Sequence, residues 1–174
     1  DLTAMQKDLS SYKGKTSTSS PSPHEWENAF GDAEVVFCIT ITSTLSGTYN
    51  SAVIAKDIYE QNHAGRKVYV LDSYLQDQKS HFLLEKIAEL IKVGFAPDDI
   101  YKTLLEYKDK THLYFSLASL NNFAKNGRIS PVIAAGIGLL GVRVVGKASE
   151  EGTLLPLDKC RGEKRAFKKT DRSS

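Results

Sequence analysis

Hydroxyl groups and one glycine are concentrated where an apolar stretch of the chain ends. Residues 35–41 are mostly apolar and β-branched and have the length of a strand, and a polar segment, residues 42–48, follows directly. Residues 49–60 then show helical spacing. These patterns predict a strand, a polar turn and a helix. In a parallel α/β sheet the first N–H groups of such a helix face outward, where they favour a bound anion.

Two further features could contribute to an anion site. Residues 16–22 are rich in Thr and Ser and contain Pro21, so they cannot hold a regular helix or a central strand; the same composition also fits a flexible linker. Arg128 could add positive charge at the rim, or form a surface ion pair. Ser46 could cap the helix, with or without a ligand. We call residues 16–22 the first hydroxyl segment and residues 42–48 the second. The chemistry they suggest is binding.

Several enzyme motifs can be set aside. Residues 136–141 match the dinucleotide pattern in letters, but they end an apolar segment and run into a strand, the reverse of the required context. No phosphate loop ends in Gly-Lys-Ser/Thr, and Ser46 lacks the flanking glycine of a nucleophile elbow. No carboxylate pair is placed for acid–base work, and we expect no metal site. The histidines are scattered and are expected at the surface: His24, His63, His81 and His112.

Composition narrows the classes further. With 174 residues and 41% hydrophobic content, the chain can form one domain or two small ones. A net charge of +2 gives no reason to expect nucleic acid, and we interpret the basic tail after Asp158 as a solvated helix and frayed end. Cys38 and Cys160 have neither disulfide nor metal spacing, which favours a reducing cytoplasm. No apolar run approaches a membrane span, so we expect a soluble protein; the missing initiator Met suggests processing or a fragment.

The order of elements predicts an α/β fold. Strand patterns and helix patterns alternate along the first part of the chain, which is typical of a parallel sheet with helices on its faces. We expect helices at residues 2–12, 23–30, 81–93 and 97–107, and strands at 67–73 and 113–117. A short helix at 120–125 and a hairpin of residues 142–147 and 153–157 follow.

Four segments resemble the successive signatures of the DegV family of bacterial fatty-acid-binding proteins. They are Thr-Ser-Ser-Pro-Ser-Pro (18–23), Ile-Thr-Ser-Thr-Leu-Ser-Gly-Thr-Tyr-Asn-Ser-Ala (41–52), Val-Leu-Asp-Ser (70–73) and Gly-Arg-Ile-Ser (127–130). The resemblance extends from about residue 10 to about residue 169. It implies a parallel-sheet α/β domain over residues 1–110, without the family's usual first strand, and an incomplete second α/β domain over residues 111–174. A long-chain fatty acid would lie between them.

The resemblance also implies roles for individual residues. Thr18, Ser19, Ser46 and Gly47 match the positions that bind the fatty acid carboxylate, and Arg128 would lie at the pocket mouth or contact a partner. The acyl chain would fill an apolar tunnel, for which small residues at 134–138 leave room. Some members present the carboxylate to a fatty acid kinase, which makes acyl-phosphate for phospholipid synthesis. The implied protein is not an enzyme, needs no cofactor, and could contact membranes transiently.

Departures from the family pattern leave alternatives open. The opening strand and most of the second domain's later half are absent, including a histidine that joins the carboxylate network in some members, and Ser20 replaces a common glutamine. A chain truncated in this way, whether a fragment or a shortened gene product, would leave the tunnel open and lose about 0.8 kcal/mol for each CH₂ left exposed. One alternative function is a small-molecule phosphotransferase or hydrolase that holds phosphate at the Ser46 turn. Another is a structural homologue that no longer binds lipid.

Overall fold

The computed structural model describes residues 2–12, 14–73, 78–110, 112–129, 142–149 and 152–161. Within them the helices and strands alternate as predicted for the first part of the chain. The order is α1 (Leu2–Ser11), α2 (Pro23–Phe30), β1 (Val35–Thr40), α3 (Thr48–Asn62), β2 (Lys67–Asp72), α4 (Gln78–Val93), α5 (Pro97–Asp109), β3 (Tyr114–Leu117), α6 (Asn121–Lys125), β4 (Val142–Ala148) and β5 (Leu154–Arg161). None of the helices in these ranges is long and apolar enough to cross a membrane.

Strands β1 and β2 form a parallel pair with helices on both faces, which confirms the α/β prediction. Val35 pairs with Lys67 and Thr40 with Asp72. Because side chains alternate along a strand, Cys38, Val68 and Val70 pack against α2 and α3, whereas Leu71 faces α4 and α5. Burial on both faces explains why β2 is a continuous apolar run in the sequence.

The second sheet is antiparallel, with strand order β3-β4-β5. Tyr114 of β3 pairs with Lys147, and β4 pairs with β5 along its length, which confirms the predicted hairpin. The expectation of a solvated helix after Asp158 is wrong at its start, since β5 continues to Arg161. Cys160 is buried against Val145 while its neighbours Lys159 and Arg161 are exposed, so this end alternates as a strand does.

A domain boundary at residues 110 and 111 stays a prediction. Hydrogen bonds connect the two parts of the chain across it. Asn126 Nδ2 donates to the Thr16 carbonyl at 3.0 Å, and Thr44 Oγ1 donates to the Gly152 carbonyl at 3.1 Å. Each hydroxyl segment is therefore bonded to a part of the chain that follows residue 111.

Candidate functional site

The second hydroxyl segment forms a closed turn between β1 and α3. The N–H groups of Leu45 and Ser46 both donate to the Thr42 carbonyl at 3.0 Å. Helix α3 begins at Gly47, whose carbonyl accepts the first helical bond from Ser51 N. Gly47 is exposed, and Ser46 is half-buried.

Ser46 does not cap α3, so that interpretation is wrong. Gly47 occupies the cap position, and it has no side chain to accept the helix N–H groups. The Ser46 hydroxyl lies one residue earlier, 2.8 Å from Thr48 Oγ1, and accepts the Thr48 N–H at 3.3 Å. The first N–H groups of a helix lack partners within it, so a cap without a side chain leaves donors for a ligand.

The ends of β1 and β2 bring the second and third signatures together. Ser73 N donates to the Thr40 carbonyl at 3.1 Å, and Thr40 Oγ1 donates to the Leu71 carbonyl at 3.3 Å. The Asp72 carboxylate accepts the Ser43 N–H at 3.2 and 3.3 Å. This side of the turn therefore already has an anion, which opposes a second one beside it.

The first hydroxyl segment lies next to the start of α3. Ser51 Oγ donates to the Pro21 carbonyl at 2.5 Å. A methyl group added at Gly47 would lie 3.5 Å from Ser20 Oγ, so the two hydroxyl segments meet there. Thr18 and Ser19 are exposed, between Pro21 and the bonded Thr16. The segment has no regular structure, as predicted, but its bonds at both ends distinguish it from a free linker.

Arg128 follows α6 directly. Gly127 adopts a left-handed conformation with φ 69° and ends the helix, and Arg128 N donates to the Phe123 carbonyl at 2.9 Å. The Arg128 side chain is exposed. The small residues at 134–138, proposed to leave room for an acyl chain, lie outside the described residues, as do residues 136–141 with their dinucleotide-like letters.

The raised pKa values belong to buried or half-buried groups, whereas hydrogen bonds from Ser22 of the first hydroxyl segment lower the pKa of exposed Glu25. Burial raises the pKa of the Cys38 thiol to about 11. Burial, and then the hydrogen bond to Asp98 at 2.6 Å, raise the pKa of Tyr69 to about 12. In the part of the chain that the structure describes, no group of three or more His, Cys, Asp and Glu residues could hold a metal ion. The two hydroxyl segments thus offer neutral hydrogen-bond donors for an anion.

Sequence reasoning missed several side chains that position the site. Ser51 and Asp72 lie within the quoted signatures, but no local pattern told which groups they would bond. Asn122 and Asn126, which bond Thr16, lie just before the Gly-Arg signature. Their only signal was their spacing of four residues, which places two side chains on one face of a helix.

Comparison with known proteins identifies the family. Residues 2–173 match the family described as "Uncharacterised protein, DegV family". A DegV domain-containing protein of Streptococcus pneumoniae (strain R6) is 40% identical over 166 residues, which cover 95% of this chain and 59% of that protein. The chain therefore spans about three fifths of the length of this relative.

Comparison with solved structures identifies the same family. A DegV family protein from Eubacterium eligens, loaded with heptadecanoic acid, matches with a TM-score of 0.92 and 39% identity over 99% of this chain and 63% of its own. The Streptococcus pneumoniae Fatty Acid Kinase (Fak) B3 protein, loaded with linoleic acid, matches with a TM-score of 0.92 and 38% identity over 99% of this chain and 62% of its own. The α/β architecture is that of these proteins, and the chain belongs to the DegV family.

Proposed function

We propose that this protein binds a long-chain fatty acid, with its carboxylate at the junction of the two hydroxyl segments. One observation carries the proposal: the structure loaded with heptadecanoic acid matches 99% of this chain with a TM-score of 0.92. The proximity of Ser20 Oγ to Gly47 supports the location, because Ser20 follows the predicted ligand Ser19 in the first segment and Gly47 belongs to the second.

The chemistry of the junction suits a carboxylate. Hydroxyls of Thr18, Ser19 and Ser46 and the open start of α3 at Gly47 are neutral donors, and each bond to a charged acceptor contributes about 1.5–3 kcal/mol. Because Asp72 already occupies the Ser43 N–H, we place the ligand on the side of Ser46 and Gly47. Burial of the acyl chain would add about 0.8 kcal/mol for each CH₂.

The protein is proposed to act as a carrier and not to catalyse a reaction itself. The resemblance to the Fatty Acid Kinase (Fak) B3 protein supports a fatty acid kinase as the partner that receives the carboxylate. Arg128, exposed after α6, fits the pocket mouth or the partner contact. A cytoplasmic location and transient membrane contact remain predictions from the sequence.

Mass spectrometry of the purified chain tests this proposal. Native spectra, followed by denaturation and organic extraction, report the chain mass and any bound lipid together. We expect one fatty acid per chain, or stoichiometric uptake after stearic acid is added to a stripped sample. A chain that neither retains nor takes up stearic acid would contradict the proposal. Retention of inorganic phosphate under the same conditions would instead support the phosphotransferase or hydrolase alternative.

A further inference from the structure

The side chains of Asn122, in α6, and Asn126, the residue that caps its end, bond the N–H and the carbonyl of Thr16. Asn122 Oδ1 accepts the Thr16 N–H at 3.3 Å, and Asn126 Nδ2 donates to the Thr16 carbonyl at 3.0 Å. Lys125 Nζ adds a bond to the Gly14 carbonyl at 3.4 Å. These contacts join parts of the chain more than 100 residues apart.

The two asparagines have opposite roles in this contact. Asn126 acts as a donor, and its Nδ2 also donates to the Asn122 carbonyl at 2.8 Å and to Asn122 Oδ1 at 3.3 Å. Asn122 Oδ1 acts as an acceptor, for Thr16 N and for Asn126. A carboxylate could therefore replace the amide of Asn122, but not that of Asn126, which must donate.

The position of Thr16 gives the contact a consequence for the site. Thr16 lies two residues before Thr18, and the other end of the segment is fixed where Ser51 bonds the Pro21 carbonyl. Thr18 and Ser19 thus lie between two points of the segment, Thr16 and Pro21, that are held by hydrogen bonds. Without the bonds to Thr16, the N-terminal side of the segment would lose its restraint, and a ligand would have to order it on binding.

We propose that Asn122 and Asn126 are positioning residues: together they clamp Thr16 and so hold Thr18 and Ser19 in place to bind a carboxylate. The inference rests on the proposed function for its ligand. Asn126 lies two residues before Arg128, so the clamp lies beside the last signature. Neither asparagine contacts the ligand in this proposal.

Isosteric Asn→Asp variants of the 174-residue chain test the clamp. Asn126→Asp removes the donor, whereas Asn122→Asp keeps the acceptor and adds the same charge. Asn121→Asp, at an exposed position of the same helix, controls for charge alone, and Asn126→Ala removes the donor without adding charge. Two measurements are made: stearic acid affinity by titration calorimetry, and hydrogen exchange of the amides of residues 14–20 without ligand.

We expect Asn126→Asp and Asn126→Ala to weaken stearic acid binding about tenfold and to speed amide exchange near Thr16. Asn121→Asp should stay within about twofold of the wild-type affinity, and Asn122→Asp, which keeps the acceptor, should lose less affinity than Asn126→Asp. The proposal is overturned if both Asn126 variants keep wild-type exchange or wild-type affinity, or if Asn122→Asp lowers both as much as Asn126→Asp does. A wild-type chain that does not bind stearic acid would contradict the proposed function, while the exchange pattern would still decide whether the clamp exists.

Discussion

The helices α2 and α3 begin in opposite ways, although both follow a hydroxyl segment. The start of α2 is closed: Ser22 Oγ accepts the Glu25 N–H at 3.3 Å, and the Glu25 carboxylate accepts the Ser22 N–H at 2.7 Å, which completes a capping box. The start of α3 is more open, because its cap residue Gly47 has no side chain; the Ser46 hydroxyl, which lies before the helix, accepts the Thr48 N–H at 3.3 Å.

This difference distinguishes the hydroxyl segment that caps a helix from the one that we propose binds a ligand. In a capped helix, side chains accept hydrogen bonds from the first backbone N–H groups. In an uncapped helix, these N–H groups remain available to another acceptor. The sequence has a good capping residue at 22 and, at 47, a glycine without a side chain between two half-buried hydroxyls. The comparison therefore agrees with a stabilising role for the start of α2 and with the ligand site that we propose at the start of α3.

The largest expected effect is on fatty acid affinity, when a carboxylate side chain is placed at the start of α3. Gly47→Asp should fold, because Gly47 has a φ of −71°, which any residue adopts, and an added Cβ would make only an ordinary contact with Ser20. The new carboxylate should favour the helix by about 0.3–1 kcal/mol and lower stearic acid affinity by about a hundredfold or more. Calorimetry and thermal unfolding measure both effects.

Two neutral variants control for size at this position. Gly47→Ala and Gly47→Asn should retain more affinity than Gly47→Asp, since neither adds a charge. Equal binding by Gly47→Asp and Gly47→Asn would show that no carboxylate lies at the start of α3.

The next effect tests the two predicted hydroxyl ligands. Ser46→Ala and Thr18→Val should each weaken fatty acid binding by about 1.5–3 kcal/mol, because each removes a hydrogen bond to a charged acceptor. Neither should unfold the protein. The matched controls Ser43→Ala and Ser17→Ala change exposed hydroxyls of the same segments and should bind normally. Normal affinity in Ser46→Ala and Thr18→Val would remove both residues from the site.

Removing the cap of α2 should lower the stability of the protein and leave fatty acid binding nearly unchanged. Ser22→Ala removes the hydroxyl that accepts the Glu25 N–H, which should lower the free energy of unfolding by about 1 kcal/mol. Denaturant unfolding and stearic acid titration of the same sample separate the two effects. A loss of affinity larger than the loss of stability would mean that α2 also takes part in binding.

Asp72 should oppose the ligand weakly. Asp72→Asn removes the negative charge beside the Ser43 N–H, so stearic acid should bind about 0.2–1 kcal/mol more tightly, with a smaller gain in high salt. Asp57→Asn, at an exposed position later in α3, controls for net charge and should not change the affinity. Weaker binding by Asp72→Asn would indicate that its bond to the turn matters more than its charge.

Much of the fold could be predicted because its signals are local. The strand β2 is buried on both faces and shows a continuous apolar run, and α5 begins at the Pro97 that marked it. Boundaries without a local signal were missed: α4 begins at Gln78, three residues before the first predicted residue. The tail after Asp158 looked helical from its charges, but as far as Arg161 it continues β5, with Cys160 buried between exposed neighbours.

The site could be predicted only in part, for the same physical reason. The strand, the polar turn and the helix are adjacent in sequence, so the second hydroxyl segment could be predicted as a candidate anion site. The bond from Ser51 to Pro21 spans 30 residues, and that from Asn126 to Thr16 spans 110. Such pairings depend on how the chain folds back on itself, and no local spacing encodes them.

The smallest expected effect is a pH dependence of the stability of the protein, which arises at the capped start of α2 alone. The Ser22 backbone N–H, and then the Ser22 hydroxyl, donate to the Glu25 carboxylate and hold the pKa of Glu25 below its usual value. A carboxyl whose pKa is lowered by folding stabilises the protein at pH values above its unfolded pKa. That contribution is lost as the pH falls from the unfolded value, about 4.3, through the lower folded one.

Glu25→Gln should therefore lower the melting temperature slightly at neutral pH and make it depend less on pH in this acid range, where the variant and the wild type should converge. The effect should be small because Glu25 is exposed and water screens its charge. Ser22→Ala removes one of the two donors, so adding Glu25→Gln to that variant should change the acid dependence less than it does in the wild type. An equal change in both backgrounds would mean that the Ser22 hydroxyl does not help to stabilise the charged carboxylate, and the two helix starts would then differ less than their geometry indicates.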